Sequence, residues 1–166
     1  MKNEKGLTLV ELLVVLAISS AFIIIAFSIL ASMSKAADKS MNDTLVRNET
    51  IYISQQLDKA MDNVDTAEIY GSQQADGSFK AFNAVDKRMK ETSPGLFEEA
   101  PISTLIQISG NDFKIGGKKL NSVGFTVKDS VFLLKNGQLH VKLTVANLKK
   151  SKQKYEVYKI YNLQSE

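Results

Sequence analysis

The chain reads as an α+β protein: a long N-terminal helix, membrane-spanning in its first half, packed on a mainly antiparallel C-terminal β-sheet of about four or five strands. Three observations predict this. Residues 7–31, LTLVELLVVLAISSAFIIIAFSILA, are an apolar run with one charge, Glu11. Residues 33–65 contain neither proline nor glycine, and their apolar residues recur at helical spacing. From Ile102 onward the period changes to two, and Asn136-Gly137 sits between two strand-like runs.

The first element is the apolar segment. From Leu12 to Ala31 there are twenty residues without an ionisable group. A helix that crosses a bilayer needs about 20 predominantly apolar residues, so residues 7–31 are predicted to span. A short basic leader, MKNEKG (residues 1–6), precedes them with Lys2 and Lys5. Positive charge favours the cytoplasmic side, which places everything after Ala31 outside the cell. Glu11 does not fit a plain anchor: a carboxylate in hydrocarbon is costly and reads as functional by default.

The helix is predicted to continue through residues 32–65 as an amphipathic rod. Met41, Leu45, Tyr52, Ile53, Leu57, Met61 and Val64 form its apolar stripe, and Asp38, Asn42, Arg47, Glu49, Gln55, Asp58 and Asp62 its polar side. The alternative is a separate second helix after a break at 32–34. Residues 66–101 read as a variable connecting region. GSQQADGS at 71–78 has turn composition. A short helix is expected over 78–89, with Phe79, Phe82, Val85 and Met89 on one face, broken by ETSPG at 91–95.

Residues 102–166 form the β region. Ile102, Thr104, Ile106 and Ile108 alternate with their neighbours, and Asp112 to Ile115 lead into a Gly116-Gly117 turn. Val123, Phe125 and Val127 alternate again. In VFLLKNGQLHVKLTV the Asn-Gly pair predicts a tight hairpin. Leu139, Val141, Leu143 and Val145 are expected to face inward, and His140, Lys142 and Thr144 outward. YEVYKIYNL supplies the last strand.

Composition bounds the chemistry. The chain has 166 residues, a net charge of +3 and no cysteine, so disulfides and thiolate metal sites are excluded. The charge is too mild to indicate a nucleic-acid surface. His140 is the only histidine and falls on a solvent face with no clustered carboxylates, so neither metal nor cofactor is expected. No serine or cysteine nucleophile stands in a recognisable motif, and the chain is not expected to be an enzyme. Gly116-Gly117-Lys118-Lys119 lacks the spacing of a phosphate loop. Asp58, Asp62 and Asp65 offer too few ligands in one loop for calcium. Tyr155, Tyr158 and Tyr161 read as strand packing. Lys149, Lys150, Lys152 and Lys154 leave a DNA contact open, but four lysines in a turn also read as a solvated loop, and no aromatic platform accompanies them.

Gly6-Leu7-Thr8-Leu9-Val10-Glu11, joined directly to the apolar run, resembles the prepilin signal of type IV pilins and of the pseudopilins of secretion and competence systems. The resemblance is strong over about the first 35 residues. It implies cleavage after Gly6 by a membrane peptidase, N-methylation of the new terminus at Leu7, and an assembly role for Glu11. The family most often has phenylalanine where Leu7 stands, and many members carry a proline midway along the segment. None occurs here, so no kink is expected.

The implied partners are a prepilin peptidase, other pilin or pseudopilin subunits along the helix, an inner assembly platform with its ATPase, and membrane lipid before assembly. The implied fold is pilin-like, and the chain's length favours a minor subunit. The implied location is a single-pass membrane protein with an external domain, and later an extracellular filament. Two other readings compete: an ordinary signal peptide cut near residues 31–36, and a single-span anchor carrying an extracellular binding domain.

Overall fold

The computed structural model describes residues 8–150 and 153–163. The chain divides into two compact units, Met1–Met41 and Asn42–Glu166. One helix, α1 (Leu9–Met61), runs without a break through residues 32–34. Within the first unit every described residue is exposed. The Ser20 hydroxyl donates to the Ala17 carbonyl (2.8 Å) and the Ser28 hydroxyl to that of Ile25 (3.0 Å). These hydroxyls are therefore satisfied inside their own helix, as an apolar solvent requires.

In the second unit, α1 buries Asn42, Val46, Thr50, Ile53, Ser54, Leu57 and Met61. These positions follow one another at intervals of three and four, with Ile53 and Ser54 adjacent, so they share one helix face. The face is offset from the predicted stripe. Ile53, Leu57 and Met61 belong to both, but Met41, Leu45 and Tyr52 are exposed. Asn42 and Thr50 take inward places because each finds a partner. Asn42 donates its amide N–H to Gln153 and accepts at Oδ1 from Asn147 (2.8 Å). The Thr50 hydroxyl donates to the Val46 carbonyl (2.8 Å).

Eleven strands follow among the described residues. Strands β1 (Thr66–Ile69), β2 (Ala81–Asp86), β5 (Ile102–Ser109), β6 (Asp112–Ile115) and β7 (Lys118–Lys119) form an antiparallel five-stranded sheet in the order β1-β2-β5-β6-β7. Strands β8 (Phe125–Thr126), β9 (Val131–Lys135), β10 (Gln138–Asn147) and β11 (Lys154–Asn162) form a second, four-stranded sheet in which β10 pairs with all three others. Strands β3 (Met89–Ser93) and β4 (Leu96–Glu99) make a separate hairpin, exposed throughout.

The helix expected over 78–89 is not formed; residues 81–86 are β2 instead. Phe79, Phe82 and Val85 suit helical spacing, but β2 is paired on both edges, to β1 and β5, and buries Phe82 and Ala84 at period two. Those pairings are remote in sequence, and such context outweighs local pattern. Val123 is also not part of a strand but an exposed turn residue, while Val127 is fully buried.

A cluster of four phenylalanines joins the two sheets. Phe82 and Phe132 meet edge to face with centroids 5.0 Å apart; Phe79 lies 5.9 Å and Phe113 6.2 Å from Phe132. Phe79 and Phe132 also exchange backbone hydrogen bonds of 2.9 and 3.0 Å. Lys80 donates to the carbonyls of Lys128 (2.9 Å) and Ser130, fixing the turn before β9. Burial lowers the Lys80 pKa, against the raising pull of Asp129 and Asp76. Val46, Ile53, Leu57 and Met61 of the helix close the same core over Leu139, Val141, Leu143 and Val145. The result is a helix packed on antiparallel β-structure, the architecture of pilin-like proteins.

Candidate processing and assembly site

Gly6 and Leu7, the expected cleavage point, lie outside the described residues. Thr8 and Glu11 lie within them. The Thr8 backbone N–H and hydroxyl both donate to Glu11 Oε2 at 3.0 Å. In return the Glu11 N–H donates to Thr8 Oγ1 at 3.3 Å. This reciprocal Thr-x-x-Glu pattern is a capping box, which satisfies amide donors that the first helical turn leaves without partners. It explains why α1 starts at Leu9. The negative carboxylate also lies at the positive end of the helix dipole.

The spacing of Thr8 and Glu11 is itself the sequence signal of this cap. It changes the account of Glu11. The carboxylate is not bare: two donors from Thr8 reduce the cost of placing it in an apolar setting.

Beyond this segment, side chains considered for chemistry are engaged structurally. Gly116 and Gly117, at φ 56° and 80°, form the two-residue turn between Ile115 and Lys118, so the pair is a hairpin turn. Asp65 accepts from the Lys87 N–H (2.6 Å). Asp58 on α1 accepts from the Lys159 ammonium and from the Tyr161 hydroxyl (2.7 Å) on β11. Burial acts to raise the Asp58 pKa, but those two donors and the lysine charge outweigh it and hold the carboxyl below its usual range. Burial, then the Asp58 carboxylate, pushes the Tyr161 phenol well above the ordinary tyrosine range. Tyr161 therefore ties strand to helix rather than presenting a stacking surface.

His140 sits half-buried on the outer face of β10. Lys149 and Lys150 are exposed, Lys154 pairs with Glu156 (3.2 Å), and Lys152 lies outside the described residues. Among the described residues no three histidine or carboxylate side chains are grouped to hold a metal ion.

One helix among the described residues is long and apolar enough, by length and composition, to cross a membrane, and it is α1. Residues 1–27 match the family model described as the Prokaryotic N-terminal methylation motif. No curated protein and no solved structure matches the chain. The chain thus carries a prepilin-type methylation motif on a long apolar helix followed by antiparallel β-structure, a combination consistent with the type IV pilin and pseudopilin family.

Proposed function

We propose that this chain is a structural subunit, a pilin or pseudopilin, of a type IV pilus-like filament. The observation that carries the reading is the methylation motif running without interruption into α1. A prepilin peptidase cuts after Gly6, and Leu7 becomes the methylated terminus. Until assembly the apolar half of the helix lies in the cell membrane with the domain outside. The assembly platform and its ATPase then move the subunit into the fibre, where apolar helices of related subunits replace lipid.

Glu11 has two tasks in this account. Its contacts with Thr8 start the helix. Its charge attracts the α-amine of a neighbouring subunit, because two opposite charges leaving water together offset much of each other's cost. Pairing selects subunits in axial register. Fractionation tests the reading. In cells that build the fibre, the chain is expected in the sheared filament fraction. Retention of all of it in the membrane fraction would overturn the proposal and leave the anchored binding domain as the better account.

A further inference from the structure

Two exposed surfaces of the second unit complement each other. The β3–β4 hairpin belongs to neither large sheet. Its register pairs Met89 with Glu99 and Glu91 with Phe97. Opposed residues of an antiparallel pair share a face, so one hairpin face presents Met89, Phe97 and two glutamates with no cation among them. Glu91 also accepts from the Gly95 N–H (2.9 Å), which holds it in place.

The outer face of β9, β10 and β11 is the counterpart. The register puts Leu133, His140 and Ile160 in one row and Val131, Lys142 and Tyr158 in the next. They border an apolar groove of about 290 Å³. Lys142 lies over the Tyr158 ring, 5.7 Å from its centroid. The same face carries Lys135, Lys142 and Lys154 against the single carboxylate Glu156. The exposure is large on both sides: Met89 59% and Phe97 56% on the hairpin, Tyr158 68% and Ile160 58% at the groove.

We propose that the Met89/Phe97 face of the hairpin in one copy seats in the Leu133/Tyr158/Ile160 groove of a second copy, with Glu91 and Glu99 against Lys142 and its neighbours. The apolar pair fills the groove, and the excess negative charge of the hairpin meets the excess positive charge around it. Such complementarity selects partner and register more than it adds affinity. The two patches differ, so the contact is head-to-tail and propagates rather than closing into a dimer. It is too small to hold a complex alone. It therefore rests on the filament reading, in which adjacent helices hold two copies side by side and raise their effective concentration.

The chain has no cysteine, so an introduced thiol is unique. Two tagged full-length copies, one Phe97→Cys and one Ile160→Cys, are expressed together in fibre-building cells and treated with a short bismaleimide. The expected result is a mixed adduct at about tenfold the yield given when Val123→Cys replaces Ile160→Cys. Glu91→Lys with Glu99→Lys in the Phe97→Cys copy cuts the adduct by about tenfold, since like charges then face each other. Lys142→Glu in the other copy restores at least part of it. Equal yield at Val123, a Phe97-to-Phe97 adduct, or linkage only to another protein overturns the contact. The N-terminal mass of the same sample separates the two claims. A chain cut at Leu7 and found in fibres without the mixed adduct overturns the contact alone; an uncut chain that gives the adduct overturns the filament reading alone.

Discussion

Replacing Glu11 separates its two tasks. The local one is the capping box with Thr8, at 3.0 Å for both bonds to Oε2. Losing a helix cap costs about 0.5–2 kcal/mol. Glutamine serves a capping box as glutamate does, so Glu11→Gln keeps most of that contribution, whereas Glu11→Ala loses it. The second task needs the charge. Leaving one member of a buried ion pair without its partner costs about 3–5 kcal/mol. At 1.4 kcal/mol per factor of ten, that corresponds to about 100-fold to a few thousand-fold in an equilibrium. The assay is the ratio of processed chain in sheared fibres to processed chain in membranes, by quantitative immunoblot. Both variants are expected to fall by about 100-fold or more. Glutamine within about threefold of wild type, with alanine far lower, would refute charge pairing and leave Glu11 as a cap only.

The remaining predictions concern the second unit, Asn42–Glu166. Phe132 is fully buried and takes part in three ring pairs, whereas Phe113 takes part in one. Phe132→Ala is expected to cost about 3–5 kcal/mol and more than Phe113→Ala, read as the loss of urea midpoint for the full chain in detergent. A cost for Phe132→Ala below about 1 kcal/mol would contradict the packing described. Acid and alkali are expected to act on the Asp58–Tyr161 contact in different windows. The Asp58 pKa is lowered by folding, so its contribution is present above the unfolded carboxylate value, about 4, and is lost as pH falls through the lowered folded value. The Tyr161 pKa is raised, so its contribution is intact below about 10, the unfolded tyrosine value, and declines as pH rises above that. Asp58→Asn should flatten the acid limb of the stability profile and Tyr161→Phe the alkaline limb. Unchanged limbs in both variants would remove this contact from the account.

What the sequence disclosed follows from the range of each interaction. The apolar run, the unbroken helix and the Asn136-Gly137 turn rest on neighbours in the chain. Asn136 at φ 52° and Gly137 at φ 71° are the conformation that this dipeptide favours. The inward set Leu139, Val141, Leu143 and Val145 is buried as alternation predicts, but Thr144 on the opposite face is buried too. Its N–H donates to Ser130 Oγ, a partner that no local pattern shows. The helix stripe was misaligned for a similar reason. Asn42 reads as solvent-facing, but its amide donates to Gln153 and its Oδ1 accepts from Asn147, both remote in the chain. Strand β2 depends on β5, twenty or so residues later, and local spacing favoured a helix instead. At the candidate site, the position of Glu11 and its three-residue spacing from Thr8 are local, so the cap they form is legible in the sequence.

The central claim is that another enzyme trims this chain and thereby makes it a building unit. Intact-mass and N-terminal sequencing of the protein from fibre-building cells tests that claim most directly. The account predicts a chain beginning at Leu7 with a methylated amine. A chain that still begins at Met1, or one cut near residues 31–36, would contradict it.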